Sequence, residues 1–331
     1  MAEAMSFGVL NYSGMLFNHG NTKTPLSSMI GGRQKVTDHV EYAMGQEYTA
    51  GGGSQPAISE SASLTAPTIS NVTRTQETNV TQIFQESVGV SYGKMSNMGT
   101  LSGINVANQQ ANPISELDFQ IAAKMQKIAN DIEYTFINGV YNKATSDTEI
   151  NKTRGLVNGI STNNIAVGGK ELGIWKVTEG LEAIAGQNAD TDGLVLLCDS
   201  ITLKQLNADA VAQGTLVPEA NRELGGIAMK AIMTPLGIVY LALGKYLPSG
   251  TALLLNVAAI APVHQLVPGK GGNFFYEELA KTGAGTKGQI FGQIGLDYGM
   301  EWMHAKFTGI ATTFTAPEAK KVQVVGGIAT A

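Results

Sequence analysis

The chain has 331 residues, enough for one large core or for two or three lobes. Apolar residues make up an ordinary 43% of it, but charged residues only 15%, against about 25% in soluble domains. The net charge of −5 and the scattered arginines Arg33, Arg74, Arg154 and Arg222 exclude the clustered basic face of tight nucleic-acid binders, and so few charges suit a subunit that hides its surface against neighbours.

Met1 to about Val36 shows no sustained period and is dotted with Asn, Ser, Gly and Thr, so it is expected to lie as an arm on something other than itself. From about Asp38 to Tyr92 the pattern is strand and loop, with Gly51-Gly52-Gly53 as a turn between two extended flanks. The far flank is rich in Ser and Thr from Ser61 to Thr81. It tightens into one half-buried strand, with Val80, Phe84, Val88, Val90 and Tyr92 on one parity and Asn79, Thr81, Gln85, Ser87 and Ser91 on the other. A long polar hairpin is marginal alone, which points to support from a neighbouring subunit.

After Pro113, the residues Leu117, Ile121, Met125, Ile128, Ile132, Phe136 and Val140 form an apolar stripe. Gln120, Lys124, Gln126, Lys127, Asn130, Asp131 and Glu133 fill the polar face. The spacing predicts a helix over about 115–142, ~40 Å long and suited to a strut, with Ser115 and Asp118 as a capping pair and weakening from Gly139. Beyond a loop-rich link over 153–163, Ile174, Val177, Leu181 and Ile184 mark a second amphipathic helix. A buried strand Leu194 to Cys198 follows, and then a helix carrying Ile201, Leu203 and Leu206 that Ser200 is expected to cap. Short apolar runs at Gly226–Met233, Ile238–Leu243 and Thr251–Ala259 complete a compact α+β lobe. Tyr276 to Lys281 reads as helical. A last long strand places Ile290, Ile294, Leu296, Tyr298, Met300 and Trp302 on the buried face and Gln293, Asp297 and Glu301 toward water.

No chemistry emerges from the motifs. Gly283-Ala-Gly285-Thr-Lys-Gly288 spells a dinucleotide fingerprint, but it stands between a helix and a strand, the reverse of the order that places a pyrophosphate on a helix N-terminus. His19, His39, His264 and His304 are scattered, and His304 reads as a hydrogen-bonded packing residue. Glu277 and Glu278 are neighbours that would diverge on a helix. Cys198, alone in its apolar run, can form neither an intrachain disulfide nor a cysteine zinc framework, and reads as buried and inert. No apolar stretch reaches the ~18 residues of a membrane span, and Met1–Gly20 lacks the pattern of a secretory signal. The sequons at Asn71, Asn79 and Asn151 then read as chance. No catalytic, cofactor-binding or metal residue is nominated, no cofactor is expected, and the chain reads as a non-enzyme.

The order of arm, long hairpin, strand, long helix, α+β lobe and closing strand resembles the Hong Kong 97 fold of tailed-bacteriophage major capsid proteins. The segments that carry the resemblance are Asn79-Val-Thr-Gln-Ile-Phe84 with Val88-Gly-Val-Ser91, then Ala129-Asn-Asp-Ile-Glu133, Phe275 to Gly283, and Gly288 to Gly299. The resemblance implies an N-terminal arm (1–37), an extended loop with its exit strand (38–92) and a peripheral domain with a spine helix (93–172). An axial domain (173–262) and peripheral closing strands with the C-terminus (263–331) complete it. It implies hexamers and pentamers of an icosahedral head, made in the host bacterial cytoplasm, that enclose double-stranded DNA without sequence-specific binding. Implied partners are a separate scaffolding protein, a portal and decoration proteins, with no membrane. An encapsulin-like nanocompartment shell, a phage tail component and an enzyme are the alternatives.

Overall fold

The computed structural model describes residues 23–49, 51, 53–96, 116–213, 216–224 and 227–314. Residues 1–22 of the expected arm, Gly52 of the glycine turn and Ser115 of the expected capping pair lie outside them. The first elements in chain order are α1 (Pro25–Ile30), β1 (Lys35–Thr37), β2 (Glu41–Tyr48), α2 (Glu60–Ser63), β3 (Arg74–Val80), β4 (Gln82–Ser91) and α3 (Tyr92–Ser96). The long helix α4 (Glu116–Asn138) follows, then α5 (Leu156–Gly159), β5 (Asn164–Ala166), α6 (Ile174–Gly186), β6 (Leu194–Cys198) and α7 (Ser200–Gln213). The remainder is β7 (Leu216–Leu224), β8 (Ile227–Thr234), β9 (Gly237–Leu243), β10 (Ala252–Leu255), β11 (Ala261–Gln265), β12 (Phe274–Glu278), β13 (Gly285–Asp297) and β14 (Ala305–Thr308).

A seven-stranded sheet in the order β5-β14-β10-β6-β9-β8-β7 carries one lobe. Its centre is β6, an uninterrupted Leu-Val-Leu-Leu-Cys run buried at every position, parallel to β9 and antiparallel to β10. One face takes α6, whose Ile174, Val177, Leu181 and Ile184 are all buried, with the Phe307 ring seated against Gly180 where a side chain would collide. The opposite face, through Val195, Leu197, Leu253 and Leu255, joins the core that packs beneath α4. β14 pairs with β10 and β5, so the stretch 263–331, expected to close the peripheral domain alone, also completes this sheet. Asp199, not the expected Ser200, caps α7, its carboxylate accepting the Thr202 N–H at 2.7 Å.

The other sheet is built on β13. It pairs with β4 along one edge, with β12 and then β11 along the other, and β1 adds in parallel beyond β11. The single exit strand expected over 79–92 is two, divided at the buried Thr81: β3 pairs with β2 as a ribbon, and β4 joins β13. Phe84, Val88 and Val90 face the core as read, whereas Tyr92 turns into α3 and is exposed. The stretch Tyr276–Lys281, expected as helix, begins in strand β12. The aromatic rings decide it: Tyr276 and Phe274 lie over Gly288 and Gly292 of β13, which have no side chain to obstruct them. The closing strand stops at Asp297, and Trp302 leaves the buried parity in a 3-10 turn, Glu301–Met303. Asp297, expected to face water, is buried, holding Lys35 of β1 at 2.5 Å and accepting the Gly299 N–H at 2.8 Å.

The long helix α4 runs 23 residues, ~34 Å, and packs Ile128, Ile132, Phe136 and Ile137 into the core. It ends at Asn138 rather than at 142, and Val140 is exposed outside it. At Gly139 the backbone crosses the 153–155 segment so closely that a Cβ on Gly139 would overlap the Thr153 carbonyl and one on Gly155 the Gly139 nitrogen. The Asn158 amide caps the end by donating to the carbonyls of Asn138 and Gly139, both at 2.9 Å. At the other end of the chain, α1 buries Leu26, Met29 and Ile30. Residues 25–37 therefore rest on their own body, which corrects the expectation that this stretch lies elsewhere.

Candidate assembly surface

The β2–β3 hairpin leaves the body at a root fixed by polar side chains. Asn79 is fully buried: its amide donates to the Leu296 carbonyl at 2.8 Å and the Arg154 carbonyl at 3.2 Å, and its oxygen accepts the Arg154 N–H at 2.8 Å. Thr81 donates to Gln265 at 2.7 Å. Tyr42 is buried over Gly295, and burial pushes its hydroxyl pKa upward. Further out, Trp302 donates from Nε1 to Glu47 at 2.8 Å, and Gly45 leaves room for Met300. The hairpin thus leans on the turn that follows β13.

Three carboxylates meet at that lean: Glu47 and Glu77 on the hairpin and Glu301 on the body, with Arg154 as the opposing cation. Glu77 is half-buried, one of its carboxylate oxygens has no partner, and burial raises its pKa more than Arg154 lowers it. Burial also raises Glu301, but hydrogen bonds from Ser161 and Thr162 outweigh it and hold the carboxylate below its ordinary value. Glu133, read as part of the polar face of the long helix, is in fact fully buried. It caps α1 from another element, accepting the N–H of Leu26 at 2.9 Å and of Ser27 at 2.8 Å, and the Ser27 hydroxyl at 2.6 Å. Burial raises its pKa against the pull of those donors. The signal was Ile137, four residues on, which widens the buried arc of the helix to include position 133. Asn79 and Arg154 carry no local signal, because their partners are distant in sequence. On the outer face, Glu86 binds Lys124 at 2.8 Å and also Lys127, tying β4 to α4.

The residues weighed for chemistry do not converge. Gly283–Gly288 runs from the end of the β12–β13 connection into the start of β13, an antiparallel strand where a nucleotide site needs a helix. Glu277 pairs with Lys270 at 2.7 Å, and Glu278 follows it on a strand, where neighbours point to opposite faces. His304 is fully buried, its Nδ1 accepting the Asn256 N–H at 3.1 Å and its Nε2 facing the Tyr298 carbonyl at 2.7 Å, and burial lowers its pKa to about 4. His264 is buried with its pKa lowered by burial, and the Cys198 thiol is pushed up to about 12 by burial. Among the described residues, no group of three or more His, Cys, Asp or Glu could hold a metal ion, and no helix is long and apolar enough to cross a membrane.

What the surface offers instead is unburied apolar area. The loop from β2 to β3 exposes Ile58, Leu64, Ile69 and Val72, with Leu64 87% and Ile69 88% exposed. Among its described residues lies the short turn α2, capped by Ser59 accepting the Ala62 N–H at 3.2 Å. An open trough of about 610 Å³ lies at the hairpin root, between Val40, Glu41 and Ile83 on one side and the 143–151 loop on the other. These exposed apolar groups make the region the candidate interaction surface of the chain.

Solved structures share this architecture. The chain superposes with a TM-score of 0.63 on the capsid asymmetric unit of cyanophage A-1(L), at 13% identity, covering 92% of this chain and 97% of that one. It matches the holo-SrpI encapsulin complex of Synechococcus elongatus PCC 7942 equally well, with a TM-score of 0.63 at 13% identity over 92% of this chain and 94% of that one. The capsid of a native GTA particle follows, with a TM-score of 0.56 at 11% identity over 94% and 98%. No curated protein sequence matches the chain. The fold is therefore the Hong Kong 97 shell fold, in a chain of mixed helix and sheet. Residues 2–311 match the model of the SU10 major capsid protein family, and the chain belongs to that family. It is a major capsid protein, a subunit of a virion shell built from many copies of itself.

Proposed function

We propose that copies of this chain form hexamers and pentamers that tile an icosahedral head around double-stranded DNA, without catalysis and without a cofactor. The observation that carries the reading is the loop between β2 and β3, whose large apolar side chains find no cover on their own chain. Ordering such a segment is offset only when a partner supplies the burial. In this reading residues 38–92 reach over an adjacent subunit and α4 braces a peripheral domain formed from 93–172 and most of 263–331. Residues 173–262, with β5 and β14, gather toward the capsomer axis. The head is assembled in the host cytoplasm on a separate scaffolding protein, with a portal at one vertex and room for decoration proteins.

The likeness to an encapsulin shell supports a second reading, a compartment around an enzyme cargo. The family match favours the viral head. Sedimentation and negative-stain imaging of the expressed chain test the first reading, with closed shells or capsomer rings expected. A protein that stays at 34.7 kDa and shields residues 53–73 from protease would overturn it.

A further inference from the structure

Asn-Gly is the dipeptide most prone to spontaneous deamidation, because glycine has no side chain to keep its nitrogen from the asparagine side chain. It occurs twice in the sequence, at Asn138-Gly139 and Asn158-Gly159, and the fold brings both to one junction between α4 and α5. Neither glycine can be exchanged: a Cβ on Gly139 would overlap the Thr153 carbonyl, and one on Gly159 would stand 2.7 Å from the Tyr298 ring. Both asparagines are engaged as well. Asn138 donates to the Tyr246 carbonyl at 2.6 Å, and Asn158 donates to the carbonyls of Asn138 and Gly139, both at 2.9 Å. Packing requires the glycines and capping uses the asparagines, so two labile bonds stand at the end of α4.

Deamidation joins the glycine nitrogen to the asparagine Cγ, and the side-chain nitrogen leaves as ammonia, taking up the proton of the glycine N–H. Water then opens the succinimide at either carbonyl, giving aspartate or isoaspartate. At Asn158 the folded chain blocks each requirement. The Gly159 N–H is engaged by the Gly155 carbonyl at 2.8 Å. The leaving nitrogen, Nδ2, is held by its two carbonyls. The helical backbone of α5 turns the Gly159 nitrogen away from the side-chain carbon. Leu156 and Ile160, both fully buried, pin the turn on either side, so the blocks lift only when this piece of core opens.

We propose that Asn158 is a latent deamidation site, closed by the α4–α5 junction in the folded subunit, and that opening the junction modifies it one way. Aspartate at 158 would set a carboxylate against two carbonyls, acceptor against acceptor, at the negative end of the α4 dipole. Isoaspartate would lengthen the main chain by one methylene between two fully buried side chains. In either form the cap cannot be remade, so a brief opening becomes a lasting loss. Asn138 is guarded in the same way, its Gly139 N–H donating to the Thr135 carbonyl at 2.8 Å, and it should follow once the Asn158 cap is gone. The inference is independent of how copies assemble.

The full chain, folded and in urea, tests it by incubation in mildly alkaline buffer, with residue 158 followed by peptide mapping and mass spectrometry. A peptide of residues 154–163 sets the unprotected rate. Asn158 in the folded chain should react at least ~100-fold more slowly than in the peptide, and in urea the two rates should agree. Equal rates in the folded chain and the peptide would overturn the proposal, and so would an Asn158 that stays intact in urea while the peptide reacts. The one-way step is read on Asn158→Asp, which should speed hydrogen exchange at Gly139 at least ~10-fold and hasten modification of Asn138. Asn158→Ala, which loses the cap without gaining the charge, should do both less. Wild-type protection of Gly139 in Asn158→Asp would overturn that step. An Asn158→Asp chain that fails to fold where Asn158→Ala folds would bear it out, and the wild-type rates decide the gate without any variant.

Discussion

Strand β6 and the loop over residues 53–73 are both supplied with large apolar side chains, and the single chain treats them oppositely. All five residues of β6 are buried between α6 on one face and the core beneath α4 on the other. In the loop, Ile58, Leu64, Ile69 and Val72 are all exposed. Burial of such a side chain is worth about 1.5–3 kcal/mol, so β6 has realised its stabilisation in the monomer and the loop has not. The first region should therefore set the stability of the subunit and the second the free energy of association.

The largest effect expected from this contrast is at Leu196, fully buried in β6. Leu196→Ala should lower monomer stability by about 2–5 kcal/mol, because the pocket it leaves cannot collapse between two packed layers. Chemical denaturation reads this directly. Alkylation of Cys198, shielded and pushed up to about 12, should accelerate in step. Leu64→Ala should leave monomer stability within about 0.5 kcal/mol while raising the concentration needed for assembly. A monomer destabilised by more than ~1 kcal/mol at Leu64 would show that the loop is packed by its own chain, and the contrast would fail.

A smaller effect is expected where the contrast softens, at α1. This segment lies on its own body through a carboxylate from α4, so it belongs with β6 despite an arm-like sequence. Glu133→Ala would strip the acceptor from the buried Leu26 N–H and from the part-buried N–H and hydroxyl of Ser27, at a cost of about 2–3 kcal/mol. Hydrogen exchange should show residues 24–30 losing protection first. Uniform loss across the core instead would mean that α1 is not a separable clasp.

How far the sequence carries depends on whether a residue's partners are near it in the chain. β6 was legible to the residue because an unbroken apolar run needs burial on both faces, and α6 because its apolar residues recur at helical spacing. The order of elements sufficed to suggest the shell fold. The end of α4 was misplaced by four residues because Gly139 is set by a backbone crossing with Gly155, a contact no local pattern encodes. Tyr276–Lys281 reads as helix alone, and the strand state of Phe274–Glu278 comes from Gly288 and Gly292 on the paired strand. Asp297 was read as wet because its parity was polar, while its cation, Lys35, comes from the opposite end of the chain. The assembly surface was legible only as a shortage of charge and a hairpin without support. The trough was hidden, since the 143–151 loop and the hairpin root meet only in three dimensions.

The smallest effect concerns the joint between the two regions, where Glu77 and Glu47 of the hairpin face Glu301, with Arg154 opposing them. Burial raises the Glu77 pKa above its ordinary 4.5, so the seated hairpin binds that proton more tightly than a detached one does. Its contribution to seating is then fullest below 4.5, falls as pH rises through the window up to the raised value, and levels off above it. The depressed pKa of Glu301 does not enter this balance, because the Ser161 and Thr162 donors that hold it down lie on the body with it and remain when the hairpin detaches. Through Glu77, seating should thus be firmer in acid than at neutral pH. Glu77→Gln should remove the neutral-side loosening and raise protection of residues 41–48 and 74–80 at pH ~7, by under about 1 kcal/mol because solvent screens a half-exposed group. Hydrogen exchange corrected for intrinsic rates reads both. If protection rose steadily with pH in the wild type and Glu77→Gln left it unchanged, Glu77 would not strain the joint, and the hairpin's readiness to serve a neighbour would rest on its uncovered apolar loop alone.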